Sequence, residues 1–197
     1  MTSGSLRARG ATASHAATAL APMERDVLAA LGQDCYGRDA DTLEQVVGRL
    51  LRDRAIRLAV AESFTGGLLG HRLTSVPGSS DYFERGVVAY SDRAKTELLA
   101  VPESLLRTHG AVSAPTVEAM ARGICASAGT PCGLSITGLA GPDGGTPIAP
   151  VGTVYIALAF RAQVSSRRFR FVGDRASIAW QSTQMALDML RRRLGEV

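Results

Sequence analysis

The sequence predicts an α/β protein: a three-layer α/β/α sandwich around a mostly parallel mixed sheet that includes one antiparallel strand. Apolar runs of strand length alternate with stretches of helical periodicity, the pattern of strands joined by crossover helices. The last two runs are separated by only a short polar link, which suits an antiparallel hairpin. The 197 residues are enough to bury a proper core in one domain, and no internal repeat or second domain is visible.

Residues 1–22 are rich in Ala, Ser, Thr and Gly and are expected to form a disordered leader, with 23–197 as the folded domain. The leader lacks the sustained apolar stretch of about 7–15 residues that a signal peptide needs. Glu24–Leu31 can form a short helix. Asp39–Arg54 is a clearer one, with Leu43, Val46, Val47, Leu50 and Leu51 on one face. Ile56–Ala61 reads as a buried strand, followed by the turn at Ser63 and a helix over Gly67–Thr74. Val76-Pro77-Gly78-Ser79-Ser80 is a loop. Gly86–Tyr90 is the second strand, with a helix from Asp92 to Leu99. Ser113 caps a helix that reaches Ala128, with Pro115 tolerated in its first turn. Gly133–Thr137 is the third strand and runs into the Gly-dense loop Gly138–Pro147. Val151–Arg161 is a long strand, Gln163–Ser166 a turn, and Arg167–Val172 its hairpin partner. Asp174 caps a final helix through Leu194.

Composition narrows the function classes. Apolar residues make up 46% of the chain and charged residues 20%, as in a globular protein, and no apolar run approaches the about 18 residues of a membrane span. The three cysteines, Cys35, Cys125 and Cys132, form no Cys-x-x-Cys pair, which argues against a disulfide framework or zinc site and suits a reducing cytoplasm. Of the three histidines, neither His71 nor His109 has a neighbour at ligand spacing, so both read as solvated or structural; no metal is expected, nor any cofactor. The net charge of +4 is modest, and aromatics amount to only 5%. Nucleic-acid binding through Arg167-Arg168-Phe169-Arg170 or Arg191-Arg192-Arg193 is therefore disfavoured.

Chemistry concentrates where strands run into loops. In open parallel sheets, ligands bind at the carboxyl ends of the strands. Here those ends carry Ser63, Tyr90 and Thr137-Gly138, and the predicted sheet makes them converge. Ser63 lies in Ala61-Glu62-Ser63-Phe64-Thr65-Gly66-Gly67, a strand–turn–helix corner whose free N–H groups at Thr65, Gly66 and Gly67 suit an oxyanion. Capping and turn formation is the plainer reading of the same residues. Lys95 falls in the first turn of the helix after Tyr90, directed back toward the strand ends. A desolvated lysine titrates below its usual range and can act as a base, taking the Ser63 proton directly or through the Tyr90 hydroxyl. By default each would be a solvated surface group. Arg175 opens the last helix, where the helix dipole disfavours a cation, and its planar fork suits a phosphate.

Read together, Ala61–Gly67, Val76–Ser80, Gly86-Val87-Val88-Ala89-Tyr90-Ser91, His109-Gly110-Ala111-Val112-Ser113, Thr137-Gly138-Leu139-Ala140-Gly141-Pro142 and Pro150-Val151-Gly152-Thr153-Val154 resemble, in order and spacing, the CinA C-terminal domain family. The resemblance covers residues 43–194. Enzymatic members of that family are nicotinamide-nucleotide amidohydrolases, so it implies hydrolysis of nicotinamide mononucleotide to nicotinate mononucleotide and ammonia, a pyridine-nucleotide salvage step. It implies Ser63 as nucleophile, Lys95 and Tyr90 as base and relay, Thr137 in the pocket and Arg175 on the anion. It also implies an α/β/α fold assembled as a homo-oligomer. Two positions depart from the family pattern: Phe64 stands where cysteine is common, and Ala179 where a second basic residue often follows Arg175. The leader is too short to hold the N-terminal domain of full-length CinA proteins, so that domain's pyrophosphatase activity is not expected.

A second reading keeps the fold without the chemistry, as a CinA-like protein binding a nucleotide or a protein partner and linked to competence or DNA damage. The set Ser63, Tyr90 and Lys95 favours the enzyme, since a binding module has no need of it.

Overall fold

The structure, a computed structural model, describes residues 4–196. It divides into an N-terminal unit ending at Gly37 and a larger unit from Arg38 onward. The N-terminal unit is a single helix, α1 (Ala13–Leu31), followed by a short 3-10 turn. It begins well before the Glu24 start and inside the segment predicted as a disordered leader. Thr12 caps it by accepting the His15 N–H, and the alanines that follow are the best helix formers. Pro22 sits inside it, where it removes one i→i−4 bond.

The larger unit is the expected sandwich. Its strands are β1 (Leu58–Glu62), β2 (Phe83–Val88), β3 (Cys132–Gly138), β4 (Thr153–Phe160) and β5 (Gln163–Arg170). They lie in the order β2-β1-β3-β4-β5. β1 pairs in parallel with β2 and β3, while β4 is antiparallel to both neighbours. One strand thus opposes the other four, as the sequence predicts. The β4–β5 turn is tighter than expected: Arg161 and Ala162 alone make it, Arg161 with φ 55°, and residues 163–166 belong to the strand.

Helices α2 (Leu43–Asp53), α3 (Leu68–Thr74) and α7 (Arg175–Gly195) cover one face; α4 (Asp92–Leu99), α5 (Glu103–His109) and α6 (Ala114–Ala128) cover the other. α2 starts at Leu43 rather than Asp39 because Thr42 and Gln45 form a reciprocal capping box. The sequence pattern does not signal α5, because its seven residues carry only Leu105 and Leu106 as apolar positions. The α2–α3–α7 layer is held by the buried Arg72, which donates to Glu44 (2.7 Å), Thr183 (2.9 Å) and Gln184 and lies 4.2 Å from the Trp180 ring. On the other face Ala59, Ala61, Leu99, Met120 and Ile124 form a close-packed cluster.

That packing sets the approach of α4 to α6. The Leu99 carbonyl lies against Gly123, where any Cβ would overlap the oxygen. Gly123→Ala should therefore lower stability by about 1–3 kcal/mol through forced separation of the two helices. Urea unfolding reads this; an unchanged midpoint would contradict the close approach.

Candidate active site

The carboxyl ends of β1, β2 and β3 fall on one edge of the sheet because those strands are parallel. Around that edge lies a cavity of about 260 Å³ lined by Ser63, Tyr90, Lys95, Thr137, Gly138 and Arg175. Phe64, Asp92 and Asp143 also border it. The residues singled out at the strand ends, far apart in the chain, are thus brought together.

Ser63 follows β1 directly. Its N–H donates to the Ile136 carbonyl (3.1 Å) and its own carbonyl accepts the Gly66 N–H (3.1 Å), so the serine is held in a closed turn. Gly66 (φ 63°) and Gly67 (φ 98°) supply the left-handed backbone this turn requires. The residue is 7% exposed.

Lys95 stands on α4, whose start is fixed by Ser91 accepting the Ala94 N–H. The lysine is only 1% exposed. Its Nζ donates to the Tyr90 carbonyl at 3.1 Å and lies 3.8 Å from an Asp92 carboxylate oxygen. Burial lowers the Lys95 pKa from its ordinary 10.5, with Asp92 pulling the other way.

Tyr90 sits differently from the expected relay. It is 62% exposed, and its hydroxyl accepts from Arg175 at 2.9 Å. The contact with Lys95 comes from its backbone carbonyl instead. Arg175 also donates to the Gly141 carbonyl (3.0 Å), so its fork ties the Gly-dense loop to Tyr90 at the cavity mouth. Thr137 turns its hydroxyl to the Ala111 carbonyl (2.9 Å), which fixes the neighbouring wall.

Thr65, Gly66 and Gly67 do not border the cavity; its lining on this side ends at Phe64. Behind this turn stands Glu62, a residue with no role in the sequence reading. Its buried carboxylate accepts the Leu69 N–H (3.0 Å) and the Gly70 N–H (2.8 Å) and so occupies the start of α3. One signal was available: a lone acid closes an apolar strand, and no Ser, Thr, Asp or Asn stands just before Leu68 to cap the helix. Phe64 is 8% exposed, and its ring packs so closely on Gly138 that a Cβ there would lie 2.8 Å from it. The bulkier residue is thus accommodated by the absence of a side chain opposite.

The two arginine clusters do not join. Arg167, Arg168 and Arg170 lie on the edge strand β5, whereas Arg191 and Arg192 both bind Asp188, and Arg193 pairs with Glu196. Among the described residues, no helix is long and apolar enough to cross a membrane, and no three His, Cys, Asp or Glu side chains gather as metal ligands.

Fold and cavity together define an α/β/α domain with a serine and a buried lysine facing one cleft. Residues 40–194 match the CinA C-terminal domain family, and the chain belongs to that family. A CinA-like protein of Solibacter usitatus is 48% identical over 189 residues, 96% of this chain and 45% of that protein. One of Geobacter sulfurreducens is 49% identical over 164 residues, 83% of this chain and 40% of that protein. The chain thus spans less than half the length of these relatives. Among solved structures, the competence damage-inducible protein A of Klebsiella pneumoniae superposes with TM-score 0.76 at 38% identity, covering 78% of this chain and 95% of that one. An Escherichia coli CinA superfamily protein gives TM-score 0.73 at 30% identity, covering 82% and 98%.

The buried lysine has a thermodynamic signature. Its folded pKa lies below the unfolded 10.5, so between those two values the unfolded chain binds more protons and stability rises with pH. Lys95→Met removes this dependence; its lost bond to Tyr90 shifts stability by a pH-independent amount. The melting temperature of Lys95→Met relative to the native protein should accordingly be highest near about pH 7 and decline toward about pH 10. A constant difference would contradict the burial of the amine.

Proposed function

We propose that the protein is an amidohydrolase that converts nicotinamide mononucleotide to nicotinate mononucleotide and ammonia. The observation that carries this reading is Ser63 and the desolvated Lys95 on the wall of one cavity. A neutral Lys95 amine accepts the Ser63 proton as Oγ adds to the carboxamide carbon. The ammonium so formed returns the proton to the departing nitrogen, and ammonia leaves. Water then cleaves the acyl ester by the same proton path and frees the carboxylate. Tyr90 and Arg175 serve the mouth of the site, where the Arg175 guanidinium can exchange a present partner for the substrate phosphate. Thr137 and Gly138 shape the wall, while Thr65, Gly66 and Gly67 hold the nucleophile's turn. Assembly as a homo-oligomer belongs to the same proposal.

The test is ammonia release from nicotinamide mononucleotide by purified protein, with a chelator present. Ser63→Ala should lose at least about 10³-fold in kcat at unchanged fold. The rate of the native enzyme should rise with pH through the lowered Lys95 pKa, because only the neutral amine is a base. Near-native turnover in Ser63→Ala would overturn the mechanism. No release from native protein would overturn the substrate assignment.

A further inference from the structure

We infer that Glu62 is the positioning residue for the Ser63 nucleophile, acting by clamping both ends of the turn that carries it. The inference rests on the nucleophilic reading of Ser63 given above.

A helix start leaves amide groups without intrahelical partners, and these are normally met by the residue just before the helix. In α3 that residue is Gly67, which has no side chain to offer. The partner comes instead from Glu62, whose two oxygens accept one N–H each, from Leu69 and Gly70. Glu62 is 1% exposed, so the carboxylate is spent on these bonds rather than on water. Its backbone is fixed just as firmly: the Ala89 N–H donates to its carbonyl at 2.8 Å, and the next amide, that of Ser63, donates to Ile136 at 3.1 Å.

The segment between Glu62 and Leu68 is consequently a loop closed at both ends. The strand end holds one side and the Glu62 carboxylate draws in the other. Inside it, Gly66 bonds back to Ser63 and Leu68 to Thr65, each at 3.1 Å. The two conformationally free residues, Gly66 and Gly67, lie within this closed segment. Without the clamp they form a hinge between Ser63 and α3. The Ala89 bond also ties Glu62 to the chain that leads, one residue on, to Tyr90, whose carbonyl holds Lys95. One residue therefore connects the frame of the nucleophile to the frame of the base.

The same placement has an electrostatic consequence. A helix N-terminus attracts anions. With a carboxylate already seated there, α3 offers no site to a substrate phosphate, and Arg175 at the mouth is left as the cation that meets it.

A cap that only stabilised α3 would affect melting and nothing else. A clamp on Ser63 affects reactivity at temperatures where the variant is fully folded. The experiment uses Glu62→Gln, which is isosteric and keeps one acceptor oxygen, and Glu62→Ala, which keeps none. The readouts are the rate of Ser63 phosphonylation by a fluorophosphonate and steady-state ammonia release. The clamp predicts labelling slowed about 10-fold in Glu62→Gln and about 100-fold in Glu62→Ala, the scale of an ångström of misplacement. It predicts a matching fall in kcat with KM within about twofold of native, since no substrate contact is removed. Native labelling rates in both variants would overturn it. If the native protein neither labels nor releases ammonia, the proposed function fails, and amide exchange then decides the clamp alone. Slow exchange at Ser63, Leu69 and Gly70 in the native protein, with Ser63 losing protection in Glu62→Gln, would support it. Fast exchange at Leu69 and Gly70 in the native protein, or unchanged Ser63 protection in the variant, would overturn it.

Discussion

The interaction on which this site depends is the burial of the Lys95 amino group. An ammonium taken out of water is costly unless it is paired. Here its partners are a single backbone carbonyl, that of Tyr90, and a carboxylate, Asp92, at 3.8 Å. That is too little to stabilise the charge as water would, and the pKa falls. The fold tolerates this cost because α4 is wedged against α6 at Gly123 and its last residue, Leu99, is in the core. Packing thus supplies what electrostatics does not. The charged form of this lysine is therefore carried at the expense of stability, a common relation between a functional group and its scaffold.

The second constraint is the central strand. β1 is buried along its whole length and bonded on both sides, so its last residue is among the best-fixed points of the sheet. Ser63 inherits that precision by following it directly. The wall opposite inherits it from β3, through Thr137 and Gly138, and from the tight fit of Phe64 on Gly138. The mouth is held differently. Arg175 reaches from the first turn of α7 to a backbone carbonyl in the Gly-dense loop and to the Tyr90 hydroxyl. A rigid floor and a hydrogen-bonded, solvent-facing rim suit a site that must fix a nucleophile yet admit a nucleotide.

Much of this was legible in the sequence. The alternation of strand and helix patterns was sufficient for the sandwich, and the short link after β4 for its antiparallel strand. Parallel strand ends then brought Ser63, Tyr90, Lys95 and Thr137 to one edge. What stayed hidden depends on contacts across space or on weak local signals. The Glu62 cap on Leu69 and Gly70 joins residues through a turn whose shape no spacing reveals, and the same turn directs the Gly66 N–H to the Ser63 carbonyl rather than to a ligand. The family resemblance implies a relay at Tyr90, but spacing does not reveal that its hydroxyl meets Arg175, which lies 85 residues away in the chain. The start of α1 is hidden because an Ala-, Ser- and Thr-rich stretch reads as low complexity, although alanine favours helix and Thr12 stands in place to cap it. The Arg72 network, which unites three helices, carries no sequence signature.

The most direct measurement is the titration of the Lys95 side chain by NMR, following its ε-carbon in protein with labelled lysine and assigning the resonance by its absence in Lys95→Met. The account predicts a midpoint below the ordinary 10.5 because desolvation outweighs the pull of Asp92. A midpoint at or above that value would mean that the amine is solvated or firmly paired. Lys95 could not then serve as the base for Ser63.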